Sequence, residues 1–223
     1  MTTGGCDLTH CHMAGLLTCP CFRGMLEPSR AGENARRRGT LLNIYLIGYR
    51  GAGKTAVGRC LSAALGRPFC DMDEELTRRC AMTIREFVGR HGWSAFRREE
   101  KALLQEIARQ SGWVVATGGG VVLEAENVSA MRGSGRVVWL RAAANTLLER
   151  LQADEGTLDN RPALNASIPL DEEIRSSLSE RTPLYRQAMD FSVATDGRPV
   201  EEICRVLSEL LDAAAPMRPA SGP

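Results

Sequence analysis

Residues Leu41–Gly58 read LLNIYLIGYRGAGKTAVG, and this stretch decides the fold. Its apolar run Leu42, Ile44, Tyr45, Leu46, Ile47 is short and β-prone, as a strand buried inside a parallel sheet requires. The run stops at Gly48 and becomes Gly48-Tyr49-Arg50-Gly51-Ala52-Gly53-Lys54-Thr55, with helix-compatible sequence from Ala56 onward. That is G-x-x-x-x-G-K-[ST] between a strand and a helix, the setting of a phosphate-binding P-loop. Glycines let backbone N–H groups turn inward and approach an anion without Cβ interference. The helix start adds unpaired N–H groups and the positive end of its dipole. Lys54 supplies a full charge for β- and γ-phosphates, and the Thr55 hydroxyl is placed to ligate Mg2+. A glycine-rich turn with a chance lysine leaves the complete motif unexplained. Gly51, Ala52, Gly53, Lys54, Thr55 and Ala56 are therefore expected to hold ATP phosphates.

The totals agree with a nucleotide-using globular protein. The 223 residues suit one domain of ordinary size, and 43% hydrophobic with 25% charged is a folded composition. A net charge of +1 gives no electrostatic case for nucleic acid or an anionic membrane. No apolar run approaches the ~20 residues of a transmembrane helix, and no secretory h-region is present. Cys60, Cys70, Cys80 and Cys204 are scattered where a core would be, which suggests free thiols in a reducing cytoplasm.

Residues 1–40 mix Gly, Cys, Pro and Arg without periodicity and read as a disordered leader, or an extension from an early start with Met25 as the alternative. Cys6, His10, Cys11, His12, Cys19 and Cys21 are all good zinc ligands, but their spacing matches no standard paired pattern. Beyond the P-loop, Val57–Leu65 is helical and Gly66 closes the helix. Arg67–Asp73 reads as a second strand whose acids Asp71 and Asp73, at alternate positions, point the same way. Strand ends beside a P-loop are where metal- and substrate-handling carboxylates belong. The alternative is that one of them merely caps the next helix.

Leu76–Gln110 reads as helical with breaks near Cys80-Ala81 and His91-Gly92, and His91 suits a helix end better than a catalyst. Trp113–Thr117 is a third strand that runs into Gly118-Gly119-Gly120, where something must approach the backbone very closely. Arg136–Leu140 is a fourth strand, followed by a helix over Ala143–Leu151. Gln152–Asn165 is polar and loop-like; its Arg161-Pro162 suits a lid closing over phosphates, though an incidental surface insertion fits as well. Asp171–Met189 is helical, Phe191–Ala194 is a last strand, and Val200–Leu211 is an amphipathic closing helix before a Pro/Ala-rich tail. Alternating strands and helices imply an α/β fold: three layers, α/β/α, around a mostly parallel five-stranded sheet. The short strands favour a small nucleoside-monophosphate-kinase-like P-loop protein.

With these motifs laid out, the chain from about Leu41 to Leu211 resembles shikimate kinase. The resemblance rests on an ordered series: the P-loop, Asp71-x-Asp73, Phe96-Arg97 with Glu100, Gly118-Gly119-Gly120, Arg161-Pro162, and Arg181-x-Pro183-x-Tyr185. It implies that Asp73 binds the shikimate hydroxyls and acts as base for the 3-hydroxyl, and that Asp71 joins Thr55 in holding Mg2+. It implies that Arg97 and Arg181 take the substrate carboxylate while Gly118, Gly119 and Gly120 bring backbone to the ring. Arg161 would stabilise the transferring phosphoryl group alongside Lys54, and Arg150 would lie against the adenine. Two positions depart from the family pattern. Trp93 follows Gly92 where a glutamate is usual, and Ala163 follows Arg161-Pro162 where a leucine is usual. The expected activity is ATP-dependent phosphorylation of shikimate to 3-phosphoshikimate by a cytoplasmic monomer. The alternatives are a gluconate or nucleoside-monophosphate kinase of the same fold, or an idle ATP-binding regulator.

Overall fold

A computed structural model describes residues 41–154 and 168–213. The leader with its zinc alternative, Arg161-Pro162 with most of the 152–165 loop, and the tail beyond Ala213 lie outside the described residues.

The apolar run becomes strand β1 (Asn43–Ile47), buried at every position. It lies at the centre of a five-stranded sheet of order β2-β3-β1-β4-β5, with β2 at Phe69–Asp71, β3 at Val114–Ala116, β4 at Gly135–Arg141 and β5 at Phe191–Ala194. All four pairings are parallel, so the sheet expected to be mostly parallel is wholly so among the described residues. Ile44 lies opposite Val114 on one side, and Tyr45 lies opposite Val137 on the other.

Side chains alternate along a strand, and β1 divides the core accordingly. Tyr45 and Ile47 pack with Val115, Val137 and Trp139 against helices α2 (Met72–Cys80), α3 (Ile84–Ala108) and α4 (Ala125–Ser134). Ile44 and Leu46 pack on the other face with Val138, Leu140 and Val193, against helices α1 (Lys54–Leu65), α5 (Ala144–Ala153) and α7 (Val200–Ala213). Helix α6 (Leu170–Ala188) reaches both cores, giving Ile174 to one and Tyr185 to the other. Leu61 and Leu207, fully buried between α1 and α7, would each cost about 2–5 kcal/mol to truncate to alanine.

The element ends follow local chemistry. Gly66 closes α1 in the left-handed region at φ 61°. Thr83 and Glu86 form a reciprocal capping box at the start of α3. Both expected interruptions occur, one at Ala81 (φ 50°) and one at Gly92 (φ 77°, ψ 166°), where α3 kinks.

Two readings need correction. The second strand does not run from Arg67 to Asp73: it ends at Asp71, and Met72 and Asp73 already belong to α2. The Asp71 carboxylate accepts the backbone N–H groups of Asp73 and Glu74, and this cap turns the chain into a helix. The two acids therefore do not project side by side from an extended backbone. The second correction is α4, which the sequence reading passed over. Its residues AENVSAMRGS carry no continuous apolar stripe, and only Asn127 and Met131 are buried.

Candidate active site

The P-loop leaves the C-terminal end of β1, between neighbours β3 and β4, the switch point where crevices open in such sheets. Gly48 sits at φ 141°, and a Cβ there would meet the Leu140 carbonyl oxygen at 2.4 Å. Lys54 arches back over the loop and donates to the carbonyls of Gly48 and Tyr49, each at 2.9 Å. Gly51, Ala52 and Gly53 lead into the first turn of α1, where Thr55 and the exposed Ala56 follow.

Thr55 and Asp71 meet: the hydroxyl donates to Asp71 Oδ2 at 2.6 Å, while Oδ1 caps α2. The helix cap and the Thr55 bond thus use different oxygens of one carboxylate. Burial pushes the Asp71 carboxyl above its ordinary range, and the Thr55 bond draws it back. A hydroxyl and a carboxylate side by side are the oxygen donors a hard dication takes, so these residues fit a bound Mg2+. Asp73 is half-buried on the first turn of α2.

A second cluster forms at the glycine triplet. Arg97 on α3 pairs with the wholly buried Glu100 at 2.5 Å, and its guanidinium faces the rings of Trp93 (5.4 Å) and Phe96 (5.5 Å). The close approach expected at the glycines is that guanidinium: a Cβ on Gly120 would meet Arg97 Nη2 at 2.3 Å. Gly119 backs onto the P-loop, with a virtual Cβ 3.3 Å from the Arg50 nitrogen, and Gly118 accepts a turn bond from Val121. From α6, Arg181 donates to the Gly119 carbonyl at 3.4 Å and Tyr185 donates to the same oxygen at 2.5 Å. Arg97, Arg181 and the triplet are thus brought together directly beside the P-loop.

Arg150 lies at the opposite flank of the loop. It donates to Gly51 O (3.2 Å) and to the Thr195 hydroxyl (3.1 Å) and carbonyl (2.8 Å). Arg161 lies outside the described residues. Sequence reasoning missed the buried pair of Arg50 and Glu173, which joins the P-loop to α6. The P-loop motif leaves position 50 open, and Glu173 sits among the ordinary first-turn acids of its helix, so neither announces itself.

A P-loop at the switch point of a parallel sheet, beside a glycine triplet contacted by two arginines, defines a small-molecule kinase of the nucleoside-monophosphate-kinase-like fold. The family model for shikimate kinase matches residues 50–212. Shikimate kinase 2 of Sodalis glossinidius is 38% identical over 78% of this chain and 98% of its own, and shikimate kinase of Symbiobacterium thermophilum is 38% identical over 76% and 96%. Among solved structures, shikimate kinase from Acinetobacter baumannii in complex with shikimate superposes with TM-score 0.73 at 34% identity, covering 80% of this chain and 97% of that one. The chain belongs to the shikimate kinase family. Its activity is the ATP-dependent phosphorylation of shikimate, a step of the shikimate pathway.

Proposed function

We propose that the phosphoryl group passes from ATP to the 3-hydroxyl of shikimate, with the acceptor held in the recess at Gly118–Gly120. The observation that supports this reading is the convergence of Arg97 and Arg181, from two different helices, on the glycine triplet beside the P-loop. Two planar guanidinium forks beside one glycine triplet suit a carboxylate acceptor such as shikimate.

The roles then follow from chemistry. Backbone N–H groups over Gly51–Ala56 cradle the phosphates, and the Lys54 ammonium exchanges its two loop carbonyls for β- and γ-phosphate oxygens. Thr55 and Asp71 would hold Mg2+, which when bound neutralises charge spread over the phosphates. Asp73, two residues beyond Asp71 on the first turn of α2, orients the attacking hydroxyl and accepts its proton. Glu100 pins Arg97 so that its fork meets the substrate preorganised. Arg150, fixed between Gly51 and Thr195, is assigned to the adenine side, and Arg161 to the transferring phosphoryl group. Residues 41–212 are assigned as the complete catalytic domain, acting as a monomer in the cytoplasm.

ADP release from Mg-ATP with shikimate, gluconate, CMP, AMP or no acceptor tests the reading. Turnover with shikimate alone is expected; turnover with gluconate would keep the arginines on a carboxylate and overturn the substrate, and turnover with CMP or AMP would overturn the carboxylate assignment itself.

A further inference from the structure

The variable letters of the P-loop are Tyr49, Arg50, Gly51 and Ala52, and the first two turn their side chains back into the protein, where both are buried. What they meet is a single stripe on α6. Glu173, Ser177, Arg181 and Tyr185 are spaced four residues apart, so they run along one side of the helix for about 18 Å. All four are buried, an uncommon fate for a carboxylate and a guanidinium.

Each member of the stripe touches either the nucleotide loop or the acceptor recess. Glu173 Oε1 takes both the Arg50 guanidinium and the Tyr49 phenol, the latter at 3.4 Å. Burial raises the pKa of the same phenol, and the nearby Ser177 hydroxyl draws it back. Arg181 places its guanidinium 5.8 Å from the Tyr49 ring centre and donates to the Gly119 carbonyl. Tyr185 donates to that carbonyl as well. One helix thus carries a polar line from the P-loop to the arginine assigned to the substrate carboxylate. Among the described residues the buried Nε atoms of Arg50 and Arg181 have no hydrogen-bond partner, so within that set both guanidiniums are held by only part of their donor sets.

We propose that Glu173, through Arg50 and Tyr49, is a positioning residue that couples the two substrate sites. Nucleotide filling the P-loop fixes Tyr49 and Arg50, and this holds α6 with Arg181 in the orientation that receives the acceptor carboxylate. Coupling of this kind is reciprocal, so the acceptor tightens the nucleotide by the same factor. The inference rests on the proposed role of Arg181.

Calorimetric titration of shikimate into the full-length protein, with and without saturating Mg-ADP, measures the coupling. In the parent chain Mg-ADP should tighten shikimate at least about fivefold. Glu173→Gln keeps the shape and an acceptor oxygen but removes the charge that holds Arg50. It should bring the factor below about twofold while shikimate affinity without nucleotide changes by less than about twofold. Tyr49→Phe removes one hydroxyl and keeps the packed ring, and it should at least halve the factor even if Glu173→Gln folds poorly. A stripe that serves only the core would lower melting temperature in both variants and leave the factor intact, which would overturn the proposal. A parent factor near one would overturn it too. Arg181→Ala separates the two layers. Unchanged shikimate affinity in that variant sinks the carboxylate reading and the coupling with it. Weakened affinity, together with an intact factor in Glu173→Gln, sinks the coupling alone.

Discussion

Replacing Gly120 with alanine tests the acceptor recess with a single methyl group. The backbone there, at φ −101° and ψ 5°, accepts an L-residue, so the substitution acts through space and not through strain. The new Cβ would lie 2.3 Å from Nη2, 2.6 Å from Cζ and 2.7 Å from Nη1 of Arg97. Ordinary contact begins near about 3.5 Å, so the guanidinium must retreat by about 1 Å. It has few places to go, since Glu100 holds one nitrogen at 2.5 Å and the Trp93 and Phe96 rings flank it. A charge-assisted bond to the substrate carboxylate displaced that far is lost, at a cost of about 1.5–3 kcal/mol. That is about 10- to 150-fold in shikimate affinity. The P-loop is untouched, so kcat should fall far less than the KM for shikimate rises. Shikimate titration at saturating ATP, read as ADP release, separates the two constants. A Gly120→Ala enzyme whose shikimate KM stays within twofold of the parent, while Arg97→Ala raises it, would refute the steric argument.

Lys54→Ala and Asp73→Asn should each lower kcat by about 10²–10³ or more, and parent-like turnover in either rejects its role. Gly135→Ala should lower the melting temperature by several degrees with the site chemistry intact. Its Cβ would meet the Asn43 carbonyl oxygen at 2.4 Å and the Tyr45 ring at 2.7 Å, and overpacking costs about 1–3 kcal/mol. Burial pushes the Cys70 thiol up to about 12, so at pH 8 only about 10⁻⁴ of it is thiolate. Iodoacetamide should label it at least about 100-fold more slowly than a free thiol, and rapid labelling located by mass spectrometry would contradict that burial. Deleting residues 1–39 should leave turnover unchanged, and loss of folding or of bound zinc would return weight to the leader's cysteines and histidines.

The strand–loop–helix unit was legible because glycines, lysine and threonine carry their geometry locally. Breaks at Ala81 and Gly92, and the cap at Gly66, were legible for the same reason. Asp71 and Asp73 misled because alternation along a strand and capping of a helix share one spacing, and only the hydrogen bonds of the cap decide between them. Helix α4 escaped because Asn127, Val128 and Met131 make too thin an apolar face to mark a helix. Arg50 and Glu173 were illegible for a deeper reason: they lie 123 residues apart, and either alone reads as a solvated charge. The closeness demanded by Gly118–Gly120 could be read, but its occupant, the Arg97 guanidinium, could not.

The central place of β1 has a consequence for how the chain is made. Synthesis delivers the P-loop strand early, yet its partners arrive much later: Trp113, at the edge of β3, bonds Asn43 from 70 residues downstream, and β4 begins only at Gly135. A ribosome-bound chain that stops short of β4 has an apolar ribbon with one bare edge and no closed phosphate cradle, since Gly48 packs on the Leu140 carbonyl. Nucleotide in the cell therefore cannot rescue the nascent chain until most of it has emerged. Chaperone occupancy should persist through that interval and fall once β4 clears the exit tunnel.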